Sequence, residues 1–417
     1  MGKEKNILVN YFVGITLLFP LFFQLSGGIY TGFMQDSGGN IAHLPFPIAV
    51  VGCIAGFLLL LKNFRQANVA FIFVIAMSIS MVLSVIFGSP NLQVESRKLI
   101  LLAQFIMPTF AMILGQMVTD EDLAIPSAFL AVVILIVPLQ LVASWLHGSL
   151  TLTHDLYAFS IYQHFQYVPL ILVCAFGFAT TALWSKHRKV LIIFFPIMFV
   201  YAIASVSFLT IIAFVFFLVT FSFQRIKNLQ ATNKILMVGV ICLGLLITIG
   251  GISVYYAKAK SNTSIVGDGG QYIGKFDTLA QGKLPTNAVE RFADWKMFGS
   301  GIMESPRTIV FGHVAPMARE VRSSAHNWYI DFAYSFGMIS LLPIFLLTAY
   351  TVYLFTKQRG TLSEEVHWLA AIVFYLVVID SNFKVTLRQP YSGLFTYFLW
   401  GLLLSRLRNR SFLAPAR

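Results

Sequence analysis

Cysteine is almost missing from this chain. Only Cys53, Cys174 and Cys242 occur, each inside an apolar run rather than a polar loop. That placement argues against a disulfide framework and against a thiolate metal site. Charge is scarce too, at 11% of residues, while 58% are hydrophobic. Soluble domains carry roughly a quarter charged residues, so the composition excludes a soluble globular protein and indicates a polytopic membrane protein. Acidic residues are the rarer sign, 17 against 29 Lys and Arg, giving a net charge of +12. Those charges fall in short clusters between apolar runs. The pattern reads as membrane topology and attraction to anionic lipids, with no nucleic-acid partner implied. No internal repeat of solenoid length occurs. No glycine-rich phosphate loop is present either, because Gly299-Ser300-Gly301 lacks the strand-to-helix context such a loop needs.

What the chain does have is apolar segments long enough to cross a bilayer. Twelve are read, at 7–25, 46–61, 69–87, 99–118, 123–146, 164–184, 190–204, 206–223, 235–254, 329–355, 366–380 and 391–405. The stretch from Ile7 to Leu25 resembles a signal peptide, but it is long and no small-x-small site closes it. It is expected to remain as the first helix. Ser205-Val206-Ser207 is the natural turn within 190–223. Three parts follow: nine helices in 1–254, a large polar loop at 255–328, and three helices in 329–417. The fold class is all-α, polytopic, with one large, partly helical loop. Within that loop helices are expected around Ala288–Phe298 and Pro316–Arg322.

Charge bias sets the expected orientation. One set of short loops carries 16 Lys and Arg, whereas the other carries only Arg97, Lys98, Lys384 and Arg388. By the positive-inside rule both termini are cytoplasmic and the large loop lies outside. Asp120-Glu121-Asp122 resembles a metal-binding acidic motif, but it falls on the cytoplasmic face and reads as a turn capping the fifth helix.

The outer side gathers a distinctive set of groups. Arg97 and Lys98 follow the Ser89-Pro90 turn. Tyr162, His164 and Tyr167 sit in YQHFQY. The large loop holds nine Lys and Arg between Tyr255 and Trp328, and offers Arg291, Trp295, Arg307, His313, Arg319, Arg322 and His326. Lys384 and Arg388 precede Pro390. Arginine binds phosphate oxygens bidentately and stays charged, and a neutral imidazole can take the proton of an attacking sugar hydroxyl. An arginine clamp with a histidine base is a sufficient kit for glycosyl transfer from a diphosphate donor, and no metal or cofactor is required by it. Each group also has a plainer reading. Asn327 or Ser324 can cap a helix, Arg291 can pair with Glu290 or Asp294, and Arg319 and Arg322 can contact lipid headgroups. His164 with its tyrosines can form an aromatic belt, and Arg388 can mark a loop end.

The run AHNWYIDFAYSFGMISLL, Ala325 to Leu342, resembles the signature of the bacterial O-antigen ligase and polymerase superfamily: a His-Asn pair, then Tyr329 two residues on, then Gly337. Upstream, ERFADWKMFGSGIMESPRTIVFGH, Glu290 to His313, resembles its companion stretch. The resemblance implies an inverting, metal-independent glycosyltransferase of the GT-C type in the bacterial inner membrane, working at the periplasmic face. Its donor would be a glycan on undecaprenyl diphosphate. For a ligase the acceptor would be lipid A–core oligosaccharide, for a polymerase the growing glycan, and for a protein O-oligosaccharyltransferase a Ser or Thr. His326 matches the family's essential histidine and Arg291 its large-loop arginine. Arg319, Arg322, Arg388, Arg97, Tyr329 and His313 are the expected substrate-binding residues. One departure stands out: the family's arginine between helices seven and eight is missing from SVSFLTII, Ser205 to Ile212. Either another basic residue, such as Arg97 or Arg388, completes the clamp, or the activity is not the family's standard one. The rival class is a lipid-linked glycan transporter, against which stand the lack of similar halves and of intramembrane charge.

Overall fold

The computed structural model describes residues 2–24, 45–88, 95–119, 123–146, 152, 167–205, 207–227, 281–283, 286–318, 321–322 and 324–408. The predicted segment 235–254 with Cys242, the Asp120–Asp122 motif, Ser89-Pro90, Tyr162, His164 and Arg319 lie outside them.

The protein is an α-helical membrane protein. Among the described residues six stretches are long and apolar enough to span a bilayer: 61–88, 96–117, 124–146, 168–204, 338–358 and 364–383. Asn6–Leu18, Ile48–Leu59 and Phe208–Ser222 are apolar but shorter. The elements in order are α1 (Gly2–Leu18), α2 (Ile48–Leu59), α3 (Asn68–Gly88), α4 (Ser96–Ile106), α5 (Phe110–Met117), α6 (Ala124–Leu146), α7 (Val168–Ala204) and α8 (Phe208–Lys227). Later in the chain come α9 (Thr286–Ile302), α10 (Pro306–Phe311), α11 (Trp328–Phe336), α12 (Leu342–Gln358), α13 (Glu364–Phe374) and α14 (Pro390–Arg408). A short antiparallel ribbon, Phe22–Gln24 with Pro45–Pro47, follows α1. Helix α14 is buried along nearly its whole length and packs most extensively on α5.

Three sequence expectations need correction. The segments 164–184 and 190–204 are not separated by a loop. They form the two halves of α7, joined through a kink at His187, whose φ of −124° and ψ of 26° leave the helical region. Hydropathy alone cannot tell a basic kink from a basic loop. The segment 329–355 is not one helix, because α11 stops at Gly337 and the chain re-enters as a 3₁₀ turn, Met338–Leu341, before α12. In the large loop, α9 contains the expected helix, but the described residues of the second expected helix, 316–318 and 321–322, are not helical. The second helix is instead α10, where Ser305 and Thr308 form a reciprocal capping box and Pro306 opens the first turn. Helix α7 ends at Ala204 and α8 begins at Phe208, on either side of the expected turn.

Two glycines join the loop to the later helices. Gly312 ends α10 with φ of 73° and Gly337 ends α11 with φ of 75°, a region costly for any residue with a β-carbon. The two ends meet backbone to backbone. A β-carbon on Gly312 would fall 2.6 Å from the Phe336 nitrogen, and one on Gly337 would collide with the Val310 carbonyl. His313 N then donates to the Tyr334 carbonyl at 2.9 Å, completing the joint.

Candidate active site

Helix α9 positions the first half of the site. Arg291, Asp294, Trp295, Phe298 and Gly301 recur at three- and four-residue spacing and so form one stripe. Phe298 packs edge-on against Tyr334 of α11, with ring centroids 4.9 Å apart. Trp295 meets Phe383. These contacts turn the stripe inward and bury Asp294, at 4% exposure.

The second half is the segment entering α11. Asn327 is the N-cap, its carboxamide oxygen accepting from the Tyr329 and Ile330 nitrogens at 2.9 and 3.1 Å. Its amide also donates to Asn382 Oδ1 at 3.2 Å. Ser324 does not cap the helix. Its hydroxyl donates to Asp331 Oδ2 at 2.9 Å and accepts from the His326 nitrogen at 3.0 Å. Asp331 also accepts from the Ala325 nitrogen at 2.6 Å and from Arg388 Nη1 at 3.1 Å. One buried carboxylate thereby fixes the backbone on the N-terminal side of His326. His326 itself holds φ of 52°, left-handed for an L-residue. Such strain survives only where the surroundings over-determine it, and it concentrates at functional positions.

The imidazole of His326 points back at α9. Its Nδ1 lies 3.4 Å from Asp294 Oδ2, while Arg322 Nε donates to Asp294 Oδ1 at 2.6 Å. That hydrogen bond with Asp294 raises the Arg322 pKa above its ordinary value. With the carboxylate accepting from Nδ1–H, the basic lone pair belongs to Nε2. Among the described residues Nε2 has no partner, and the side chain is 39% exposed. A carboxylate behind an imidazole stabilises the cation formed when the ring takes a proton.

Arg291 lies half-buried one turn from Asp294. Asp380, Tyr167 and Asp294 are near enough to favour its charged form, but burial is the larger influence and pulls its pKa down from the ordinary arginine value. Among the described residues its guanidinium makes no hydrogen bond and no ion pair. It does not pair with Glu290 or Asp294 in the way a surface arginine would. Beside it, Lys384 Nζ sits 3.3 Å from Asp380 Oδ1 and over the Tyr167 ring, and Thr386 donates to Asp380 Oδ2. The carboxylate of this group ends a π-helical turn, Tyr375–Asp380, a form that recurs at functional sites.

The structure thus brings together His326, Arg291, Arg322 and Arg388, but gives them different partners. Arg322 is spent on Asp294, and Arg388 on Asp331 and the face of Phe105, 5.5 Å away. Three predicted residues stand apart. Arg97 is exposed and pairs with Glu95 at 3.8 Å. Tyr329 donates its hydroxyl to the Val377 carbonyl at 2.8 Å and stacks on Phe345. His313 stacks on Tyr334 at the other end of α9, with Nε2 3.0 Å from the Gly301 carbonyl. The residues that sequence reasoning missed are Asp294 as the partner of His326, Asp331, Asp380 and Lys384 as a site cation. For two of them the signal was available: few carboxylates occur in this chain, and Asp331 and Asp380 lie in the apolar segments 329–355 and 366–380, where charge is costly. Neither protein-family models nor the curated proteins give a match to this chain.

Proposed function

We propose that this membrane protein is a glycosyltransferase of the GT-C type acting as an O-antigen ligase. It would transfer a glycan from undecaprenyl diphosphate to a sugar hydroxyl of lipid A–core oligosaccharide, at the periplasmic face of the bacterial inner membrane, with both termini cytoplasmic. The reading rests on the resemblance of Ala325–Leu342 and Glu290–His313 to that superfamily. The observation that carries it is a carboxylate-backed imidazole together with Arg291, half-buried one helical turn from that carboxylate and without a hydrogen-bond or ion-pair partner among the described residues.

In this reading His326 Nε2 accepts the proton of the acceptor hydroxyl as its oxygen attacks the anomeric carbon with inversion. The bond from that carbon to the diphosphate oxygen breaks, and the electron pair leaves with undecaprenyl diphosphate. Arg291 supplies charge-assisted hydrogen bonds where this negative charge develops, and Lys384 and Arg388 add positive potential nearby. Asp294 holds the imidazole's tautomer and stabilises the imidazolium, while Arg322 holds Asp294. A base of this kind is worth about 10²–10⁴ in rate.

The test is incubation of purified protein with undecaprenyl-diphosphate-linked glycan and lipid A–core, in chelator, followed by gel and mass analysis. Ladders on lipid A–core that disappear with His326→Ala are the expected result. Longer lipid-linked glycan would make the protein a polymerase, and sugar on protein would make it an O-oligosaccharyltransferase. Substrate moved across the membrane unchanged would replace the enzyme reading with transport. Wild-type turnover by a folded His326→Ala protein would remove His326 from the mechanism.

A further inference from the structure

A second polar recess opens at the far end of α9, away from His326. It encloses about 570 Å³ between α10, the segment 312–318 and Tyr334, and its wall includes Gly88, Glu304, Arg307 and His313. A recess of this size is in the range of small-molecule sites.

Its charge is unbalanced. Arg307 donates through Nη2 to the Gly88 carbonyl, and Lys98 donates through Nζ to the His313 carbonyl at 2.5 Å. Lys98 stands directly behind Gly88, where a β-carbon would lie 3.6 Å from Nζ. It is 1% exposed, and the two cations are close enough to repel one another. Among the described residues neither forms an ion pair. Burying an ammonium with no carboxylate partner costs several kcal/mol, and a neighbouring guanidinium adds to that. The carboxylate on this wall, Glu304, is 69% exposed and faces His313 Nε2 at 3.9 Å. Carbonyl dipoles solvate the two cations without neutralising them, so the recess carries a standing positive potential.

The rest of the lining suits a sugar. The His313–Tyr334 stack, with centroids 4.1 Å apart and planes 19° from parallel, gives an aromatic wall beside the Ser305 and Thr308 hydroxyls. The recess is also set at a distance from Arg291. Gly301, which touches both His313 and Tyr334, is ten residues along α9, roughly 15 Å by helical rise. A single sugar at His326 cannot reach that far, whereas an oligosaccharide can.

We propose that this recess is a second binding site, taking an anionic saccharide whose phosphate or carboxylate group sits against Arg307, with Lys98 adding positive potential from behind Gly88. Its role as a substrate site rests on the glycosyltransferase reading: it would hold a charged sugar several units from the reacting end. Two sources carry such a group, the phosphorylated acceptor and a charged glycan on the donor.

Binding separates this site from catalysis. Full-length protein in nanodiscs is titrated with maltotriose 1-phosphate and with maltotriose, measured by calorimetry at two salt concentrations. The phosphorylated sugar is expected to bind at least about tenfold more tightly, a difference of about 1.4 kcal/mol, and the preference is expected to shrink with salt. Arg307→Gln removes the preference, Glu304→Gln strengthens it, and His326→Ala leaves it unchanged. Equal binding of the two sugars, or a preference that survives Arg307→Gln in folded protein, would overturn the proposal. So would inorganic phosphate competing as well as the phosphorylated sugar, since the recess would then read only an anion. Glu304→Gln keeps the test decisive if Arg307→Gln fails to fold, because its exposed side chain supports no packing. Competition with intact against dephosphorylated lipid A–core, and with lipid-linked donor, assigns the source; displacement by none of them removes the substrate role. Failure of glycan transfer with the binding preference intact would sink the ligase reading and leave the recess standing.

Discussion

Arg388, in the 3₁₀ turn just before α14, and Arg406, in the last turn of α14, lie roughly 27 Å apart by helical rise and use the same chemistry to different effect. Each pairs with one carboxylate, Arg388 with Asp331 at 3.1 Å and Arg406 with Glu365 at 2.5 Å. Each also lies over a phenylalanine, Phe105 and Phe178 respectively. Arg406 ties the start of α13 to the end of α14, so its pair joins two regular helices. Arg388 grips a carboxylate that also binds Ser324 and Ala325, so its pair holds a loop in the strained shape that presents His326. The difference teaches that a buried ion pair takes its meaning from what the carboxylate does next. At the His326 end there is also cationic charge left over, Arg291 above all, whereas Arg406 belongs to the packing between helices.

The comparison is broken most severely at the far end. Arg406→Met is expected to lower stability by about 3–5 kcal/mol, because Glu365 is left without its partner. Thermal unfolding should show this while turnover per folded molecule stays at the wild-type level; a matching loss of turnover would erase the distinction between the two ends. Arg291→Ala is the counterpart, with transfer falling about 10²–10³-fold, as when a preorganised charge donor is removed. Its melting temperature should hold, and an unchanged rate would show that the free guanidinium does not face the reacting phosphate. Asp294→Asn comes next. Losing about 2 kcal/mol of charge-assisted hydrogen bonding corresponds to about 30-fold in rate, with kcat reduced and the donor KM unaltered; a rise in KM alone would make Asp294 a scaffold residue. The smallest effect compares two variants that both lack the base. His326→Gly should be about 1 kcal/mol more stable than His326→Ala, because the left-handed conformation costs an L-residue about that much. Equal stability in chemical denaturation would show that the loop relaxes once the imidazole is gone.

Much of the helical layout was legible because hydropathy survives every local detail. The membrane helices at 69–87, 99–118 and 123–146 appear where apolar stretches run unbroken by charge. Gly337 was read as part of the signature but not as a helix end, because one glycine in an apolar run leaves hydropathy unchanged, although its φ of 75° ends α11. The kink at His187 escaped for the complementary reason, since the charges of Lys186, Arg188 and Lys189 look like a loop. His326 and Arg291, which the structure brings close to Asp294, were singled out from the chemistry a diphosphate donor needs and from the family resemblance. That same search favoured cations and passed over Asp294, Asp331 and Asp380, whose positions depend on contacts between segments far apart in sequence. Tyr329 was chosen from the family signature and Arg97 from the expected topology, and their side chains turn instead to Val377 and Glu95.

The back-to-back ends at Gly312 and Gly337 set the terms on which this region can be exchanged or redesigned. Helices α10 and α11 meet through bare backbone, so a chimera cut between the two glycines inherits half of a matched surface. Any β-carbon supplied by the other parent would wedge the helices apart and carry His313 away from Tyr334. Viable recombination therefore keeps both glycines in the same fragment, and the loop and the helix that follows it descend as one cassette.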